Sequence, residues 1–95
     1  MIHSFGDKGT EALFHGKRYA AFPSSLEGIA RRKLDMLHAA SSEEDLRVPP
    51  GNRFKRLSGD KTGICSIRIN QQWRIEFRII QGHLHDVRIS KHYDE

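Results

Sequence analysis

The stretch Ile64–Ile80, ICSIRINQQWRIEFRII, decides the predicted fold. Apolar and polar residues alternate from Trp73 to Ile79, which is the pattern of a strand with one buried face. The segment before it alternates as well, and three of its apolar residues share one face, namely Cys65, Ile67 and Ile69. We therefore predict two adjacent β-strands joined by a short polar turn.

The outward faces of these two strands carry arginines. Arg68 lies on the first strand, and Arg74 and Arg78 lie on the second. A planar guanidinium group can bind phosphate through two parallel hydrogen bonds, so arginines on a stiff sheet are suited to a phosphate-handling site. The alternative is that Arg74 is an ordinary surface residue that pairs with Glu76 or Asp86.

Two helices are indicated before this pair of strands. Asp7 is a candidate cap for a short helix that continues to about His15. Ser24 and Glu27 have the spacing of a capping box, in which the two side chains satisfy each other's free amides. Apolar residues at helical spacing follow, so we predict the main helix at Ser25–Ala40.

The remaining elements are short. Ile2–Phe5 is a candidate opening strand, and Ser41–Leu46 carries a signal for one or two helical turns. Arg53–Leu57 is a candidate strand with Phe54 inward, or Leu57 if a bulge intervenes, and Leu84–Ser90 is the last strand. The order of elements predicts an α+β fold of one domain, residues 1–95. Two or three helices and the N-terminal strand would pack on one face of a twisted antiparallel sheet of four to five strands.

The composition narrows the class of protein. The chain has 95 residues, a single cysteine and a net charge of +4. One cysteine excludes an internal disulfide framework, and its inward position predicts a small buried side chain. We expect no signal peptide and no membrane span, and hence a cytoplasmic protein. The positive charge favours a polyanion or an acidic protein as partner.

Several short blocks stand in an order and spacing typical of one family of bacterial toxins. They are Pro50-Gly51-Asn52-Arg53, Leu57-Ser58-Gly59-Asp60, Ser66-Ile67-Arg68-Ile69-Asn70, Gln72-Trp73-Arg74-Ile75 and Phe77, with Ile2-His3-Ser4-Phe5 and Glu11-Ala12-Leu13-Phe14 before them. On these blocks the chain resembles the HigB toxins of the RelE/ParE superfamily, and the resemblance covers nearly the whole sequence.

The resemblance implies an endoribonuclease that cuts messenger RNA in the decoding site of a translating ribosome, with no metal and no cofactor. It also implies a HigA-type antitoxin, a helix-turn-helix protein that neutralises the toxin and represses the shared operon by binding operator DNA. Many HigB sequences end in Asp-Tyr-His, whereas this chain has Lys91, His92 and Tyr93 in that order.

Such cleavage needs a group that takes a proton, a positive charge that stabilises the extra charge on phosphorus, and a group that protonates the leaving oxygen. Arg74 and Arg68 are the candidates for the positive charge. His92 and Tyr93 are the candidates for proton transfer. Four further cations are candidates for contacts with RNA or the ribosome, and they are Lys55, Arg56, Lys61 and Lys91.

Other functions stay open at this point. Some ParE relatives act by binding a protein such as gyrase, and a non-catalytic nucleic-acid-binding module would also be basic. His83 and His85 share a strand face, so a metal site is conceivable, but two histidines lack the further ligands of the usual zinc sites.

Overall fold

A four-stranded antiparallel sheet forms the centre of the fold in a computed structural model that describes residues 1–91. The strands are β1 (Lys55–Arg56), β2 (Cys65–Arg68), β3 (Trp73–Ile80) and β4 (His83–Lys91). They lie across the sheet in the same order as along the chain, so each pairs with its neighbour in sequence. This arrangement confirms the predicted run of consecutive antiparallel strands.

β2 and β3 pair in a register that buries the predicted inward residues. Ile67 lies opposite Ile75, and Cys65 lies opposite Phe77. All four side chains are buried. Burial raises the pKa of the Cys65 thiol, so this cysteine acts as a small apolar side chain, as the sequence predicts.

A bulge in β4 changes which residues of that strand face the core. The register shifts opposite Phe77, where β4 contributes two residues against one of β3. Asp86 lies at this point and has a left-handed backbone, with φ of 55°. Because of the extra residue, both Leu84 and Val87 are buried although they are three positions apart. A regular strand, with its period of two, would turn one of them outward.

Three helices pack on the inward face of the sheet: α1 (Lys8–Phe14), α2 (Ser24–Ala39) and α3 (Glu43–Leu46). α2 buries four aliphatic side chains at helical spacing, Leu26, Ala30, Leu34 and Leu37. The predicted main helix is therefore confirmed, with each end one residue earlier than predicted.

Within residues 1–91, no helix has the length and apolar character that crossing a bilayer requires.

The two predicted helix caps have different outcomes. Asp7 does cap α1, because its Oδ1 accepts a hydrogen bond from a first-turn N–H at 2.7 Å. The capping box of Ser24 and Glu27 is wrong, because Ser24 is already the first helical residue and Pro23 occupies the cap. Proline has a fixed φ and cannot donate from its nitrogen, so it sets the entry into the helix without a side-chain bond. The Glu27 carboxylate instead accepts from Arg18 Nε at 3.4 Å.

The expected opening strand at Ile2–Phe5 is present only as two isolated bridges. Ile2 pairs with Leu84 and Phe5 pairs with Val87, both in parallel orientation. The bulge lies between these two points of β4, so a continuous ladder with the N-terminal segment does not form.

The predicted strand at Arg53–Leu57 is shorter than expected, since β1 contains Lys55–Arg56 alone. A single 3-10 turn, Pro50–Asn52, precedes it, and Arg53 has a left-handed backbone with φ of 46°. This conformation is incompatible with an extended strand. Phe54 nevertheless packs against the core, as predicted.

Three histidines lie together where the N-terminal segment meets β4. The ring of His3 stacks on His83 with centroids 4.0 Å apart, and its centroid lies 5.2 Å from that of His85. Desolvation in this stack, together with the positive charges of His83, His85 and the terminal amine, holds the pKa of His3 below its ordinary value. Among residues 1–91, no group of His, Cys, Asp and Glu side chains is arranged to hold a metal ion.

We expect the folded state to lose stability as the pH falls below about 6.5, the ordinary pKa of histidine. The pKa of His3 is lower in the folded chain, so the unfolded chain takes up the proton first and is favoured by acid. The midpoint temperature of thermal unfolding, measured at about pH 7.5 and at about pH 5.5, compares the stability above and below this pKa. His3→Gln should reduce the pH dependence of the midpoint, whereas His15→Gln, outside this cluster, should keep it. An unchanged dependence in His3→Gln would contradict the assignment.

Candidate active site

An open groove of about 710 Å³ lies on the outward face of the sheet, at the end where β2 and β3 are joined. Its lining comes from the segment before β1, from β1 to β3 and from the end of β4. Five of the lining residues are cationic, namely Arg53, Lys55, Arg68, Arg74 and Lys91. None of the lining residues within the described part of the chain is acidic. The groove therefore attracts anions.

Arg68 and Arg74 lie directly opposite each other on β2 and β3. Opposed residues of an antiparallel pair have their Cβ atoms about 4.5–5.5 Å apart, and like charges at such positions repel. Two guanidinium groups placed in this way concentrate positive charge, which a phosphate group can neutralise. The sequence predicts that both arginines point outward, and the register shows that they are neighbours.

The turn between β2 and β3 is closed by Asn70. Its Oδ1 accepts hydrogen bonds from the backbone N–H groups of Gln72 and Trp73, at 2.8 and 2.9 Å. This short turn ends β2 and starts β3 within a few residues, because an asparagine side chain can replace a backbone acceptor in a turn. It therefore determines the register in which Arg68 and Arg74 meet.

Trp73 joins the core to the groove. Its half-buried ring meets the ring of Phe22 edge-on, with centroids 5.8 Å apart. Lys91 is its partner across β3 and β4, and the Lys91 Nζ atom lies 6.0 Å from the centre of the indole ring. Trp73 therefore has two roles. Its ring packs against the core, as predicted, and it lies beside the Lys91 amine at the groove.

Asn52 positions the loop that leads to Arg53, a role that sequence reasoning missed. Asn52 is buried, and its Nδ2 donates to the carbonyl oxygens of Leu46 and Val48, both at 3.1 Å. Its Oδ1 accepts from the amine of Lys33, whose pKa is lowered mainly by burial. These contacts tie the loop to α2 and bring Arg53 to the groove. The only signal in the sequence is the Pro-Gly-Asn-Arg block, which does not indicate the partners.

Glu76 is the second residue whose role sequence reasoning missed. Its buried carboxylate lies 2.8 Å from Arg74, 3.0 Å from Lys61 and 3.2 Å from Arg88. Burial acts to raise the pKa of Glu76, but the hydrogen bonds and charges of these three cations outweigh it and hold the pKa below its ordinary value. The alternative pairing of Arg74 with Glu76 is therefore present. It does not remove Arg74 from the groove, because Arg74 lines it as well.

The four cations expected to contact RNA are divided between two regions. Lys55 and Lys91 line the groove. Arg56 lies outside that lining, forms an ion pair with Glu43 and has its guanidinium carbon 6.0 Å from the ring centre of Phe54. Lys61 is also outside the lining and binds the carboxylate described above.

The two candidates for proton transfer, His92 and Tyr93, lie outside the described residues 1–91. Their proposed role stays a prediction. Lys91, which directly precedes them in the chain, lines the groove.

Comparisons with known proteins agree with this architecture. Residues 3–92 match the family model of the RelE-like toxin of the type II toxin–antitoxin system HigB. The chain is 47% identical over 83 residues to Toxin HigB-1 of Vibrio cholerae serotype O1, covering 86% of this chain and 87% of that protein.

Solved structures show the same fold at low sequence identity. A mutant of YafQ from E. coli is 13% identical with a TM-score of 0.56, covering 96% of this chain and 93% of that one. The YoeB–YefM complex from Staphylococcus aureus is similar at 14% identity and a TM-score of 0.56, covering 98% and 99%. The match over most of the chain and the 47% identity together show that this chain belongs to the HigB toxins of type II toxin–antitoxin systems, within the RelE superfamily.

Proposed function

We propose that this toxin is a ribosome-dependent endoribonuclease that cleaves messenger RNA in the decoding site. The observation that supports this best is the opposed pair Arg68 and Arg74 in a groove whose described lining contains five cations and no acid. RNA presents a regular series of phosphates, and two adjacent guanidinium groups suit one phosphate at the point where charge develops.

In the proposed reaction the 2′-oxygen of one nucleotide attacks the adjacent phosphorus. The new O–P bond forms as the bond to the 5′-oxygen breaks, which leaves a 2′,3′-cyclic phosphate and a free 5′-hydroxyl. The phosphorus group carries additional negative charge in the transition state, and Arg74 with Arg68 would stabilise it. Because these side chains supply the positive charge, the proposal requires no metal and no cofactor.

Proton transfer is assigned to His92 or Tyr93. Within residues 1–91, the groove lining contains no histidine, tyrosine or acidic residue. Histidine has an ordinary pKa of about 6.5 and suits proton exchange near neutral pH, whereas tyrosine near 10 needs strong tuning. We therefore expect His92→Gln to abolish cleavage and Tyr93→Phe to leave most of it, as measured by primer extension on translated message. The opposite result would transfer the role to Tyr93.

Dependence on the ribosome is suggested by the shape of the site. The groove lies open on the sheet surface, so the protein alone surrounds little of its substrate, and correct alignment of the attacking oxygen is a large part of catalysis. We expect purified toxin to cut message on programmed ribosomes and to leave the same RNA intact without ribosomes. Equal rates on naked and ribosome-bound RNA would disprove the dependence.

The same assays address the two alternative functions. A toxin of the gyrase-binding type would stop DNA supercoiling and leave translated message whole. A non-catalytic nucleic-acid-binding module would bind RNA without new ends. Both outcomes would count against the proposal.

We further propose a HigA-type helix-turn-helix antitoxin as the protein partner, with operator DNA bound through it. Membership in a toxin–antitoxin family implies an antitoxin, and YoeB, a protein of similar fold, is found in a complex with YefM. Contacts with ribosomal RNA by Lys55, Arg56, Lys61 and Lys91 belong to the same proposal, as does a cytoplasmic location, since ribosomes are there. Formation of a stable complex from the two purified proteins tests the assignment of the antitoxin.

A further inference from the structure

We propose that Glu76 is a positioning residue of this site, whose carboxylate fixes the guanidinium group of Arg74 for the RNA phosphate before RNA binds. This inference rests on the proposed function of Arg74. It adds a residue that does not line the groove and whose charge is opposite to that of the groove.

The location of Glu76 is unusual for an outward-facing strand residue. It lies in the middle of β3, between Ser66 of β2 and Arg88 of β4, and its side chain is 1% exposed. Burial of a carboxylate is unfavourable unless cations and hydrogen bonds compensate for the lost water. Both of its oxygens have such partners, so the buried charge is retained.

The three cations around this carboxylate are not equally fixed. The side chain of Arg74 is 14% exposed, whereas those of Lys61 and Arg88 are 43% and 45% exposed. Long side chains that reach water keep much of their rotamer freedom. Arg74 is thus the cation that this cluster restrains most, and among the three it is the one that lines the groove.

The restraint acts on the orientation of Arg74 as well as its position. Nη2 of Arg74 lies 2.8 Å from Oε2 of Glu76. Since the guanidinium group is planar, a short contact at one nitrogen limits the direction of the whole group. Without this carboxylate, repulsion from Arg68 on the opposite strand would favour orientations that separate the two groups.

If Glu76 acted only through its negative charge, its effect on RNA cleavage would differ from that of a positioning residue. A carboxylate beside Arg74 reduces the attraction of the groove for RNA, so removing its charge should strengthen RNA binding. Positioning predicts instead that catalysis decreases although binding does not. The two effects are therefore separable in kcat and KM.

The test is Glu76→Gln, which keeps the size of the side chain and removes its charge. We expect kcat on programmed ribosomes to fall by about 10²-fold, the size of effect that follows from a small misplacement of a catalytic group. KM should stay the same or decrease. Arg88→Gln, which removes another partner of Glu76 and leaves Arg74 in place, should change kcat much less. An unchanged kcat in folded Glu76→Gln would overturn the proposal.

A double-mutant cycle shows whether Glu76 acts through Arg74. If it does, adding Glu76→Gln to Arg74→Lys should lower kcat little further, because the group that Glu76 positions is already replaced. Full multiplication of the two effects would contradict positioning.

The single variants separate failure of this inference from failure of the proposed function. If Arg74→Lys and Arg74→Ala both keep normal activity, the proposed function of Arg74 fails. If both are inactive while Glu76→Gln is normal, only the role of Glu76 fails.

A measurement on the unmodified protein gives a result that does not depend on whether the Glu76 variants fold. In ¹⁵N spectra of the toxin without RNA, a positioned guanidinium group should rotate slowly and give separate Nη signals for Arg74. Arg74→Lys identifies these signals by their disappearance. One averaged signal for Arg74 would show that the group is not restrained, and would overturn the proposal.

Discussion

Arg74→Ala should lower the cleavage of ribosome-bound message by about 10²–10³-fold, the usual cost of removing one preorganised charge contact to a transition state. The structure also predicts a moderate loss of stability, which the outward position alone does not indicate. The substitution leaves the buried carboxylate of Glu76 with Lys61 and Arg88, so its charge stays compensated by two cations. We therefore expect a folded but inactive protein, to be verified by circular dichroism alongside the cleavage assay.

Arg78→Ala is the matched control for this experiment. Arg78 lies on the same face of β3, its side chain is 44% exposed, and it pairs with Asp86 at 3.7 Å. It is absent from the described lining of the groove. Near-normal cleavage by this variant would show that the position of Arg74 matters and not the total charge. Full activity of a folded Arg74→Ala protein would remove Arg74 from the site.

Phe77→Ala should destabilise the folded state by about 3–5 kcal/mol, the usual cost of removing a buried aromatic ring. Phe77 is 1% exposed, lies opposite Cys65 and has its ring centroid 6.4 Å from that of Phe54. The total stability of a small domain is about 5–15 kcal/mol, so much of it would be lost. The thermal midpoint should decrease by more than about 10 °C, since each 1 kcal/mol shifts it by several degrees in a chain of this size.

Ile80→Ala is the control for Phe77→Ala. Ile80 ends the same strand, but it is 49% exposed, so truncating it should cost only about 0.5 kcal/mol. Urea unfolding of both variants compares the two costs directly. A similar loss in both would show that the centre of β3 is not the centre of the core.

The sequence by itself determined which residues of β2, β3 and α2 face the core. The alternation around Trp73–Ile79 and the helical spacing in α2 follow from the geometry of the backbone, which repeats every 2 residues in a strand and every 3.6 in a helix. The face to which each side chain points follows the same periods, so a local pattern is enough to predict that face. The family resemblance added the identity of Arg68 and Arg74 as candidates for the site.

The tertiary structure alone decided what surrounds those arginines. Glu76 meets Lys61 and Arg88, 15 and 12 residues away along the chain, and the left-handed backbone of Arg53 brings another cation to the groove. Strand register, the bulge of β4 and the burial of an outward carboxylate depend on several segments at once, so no local period reveals them. Local patterns assign a side chain to a face, whereas its neighbours across strands are chosen by the free energy of the whole packed chain.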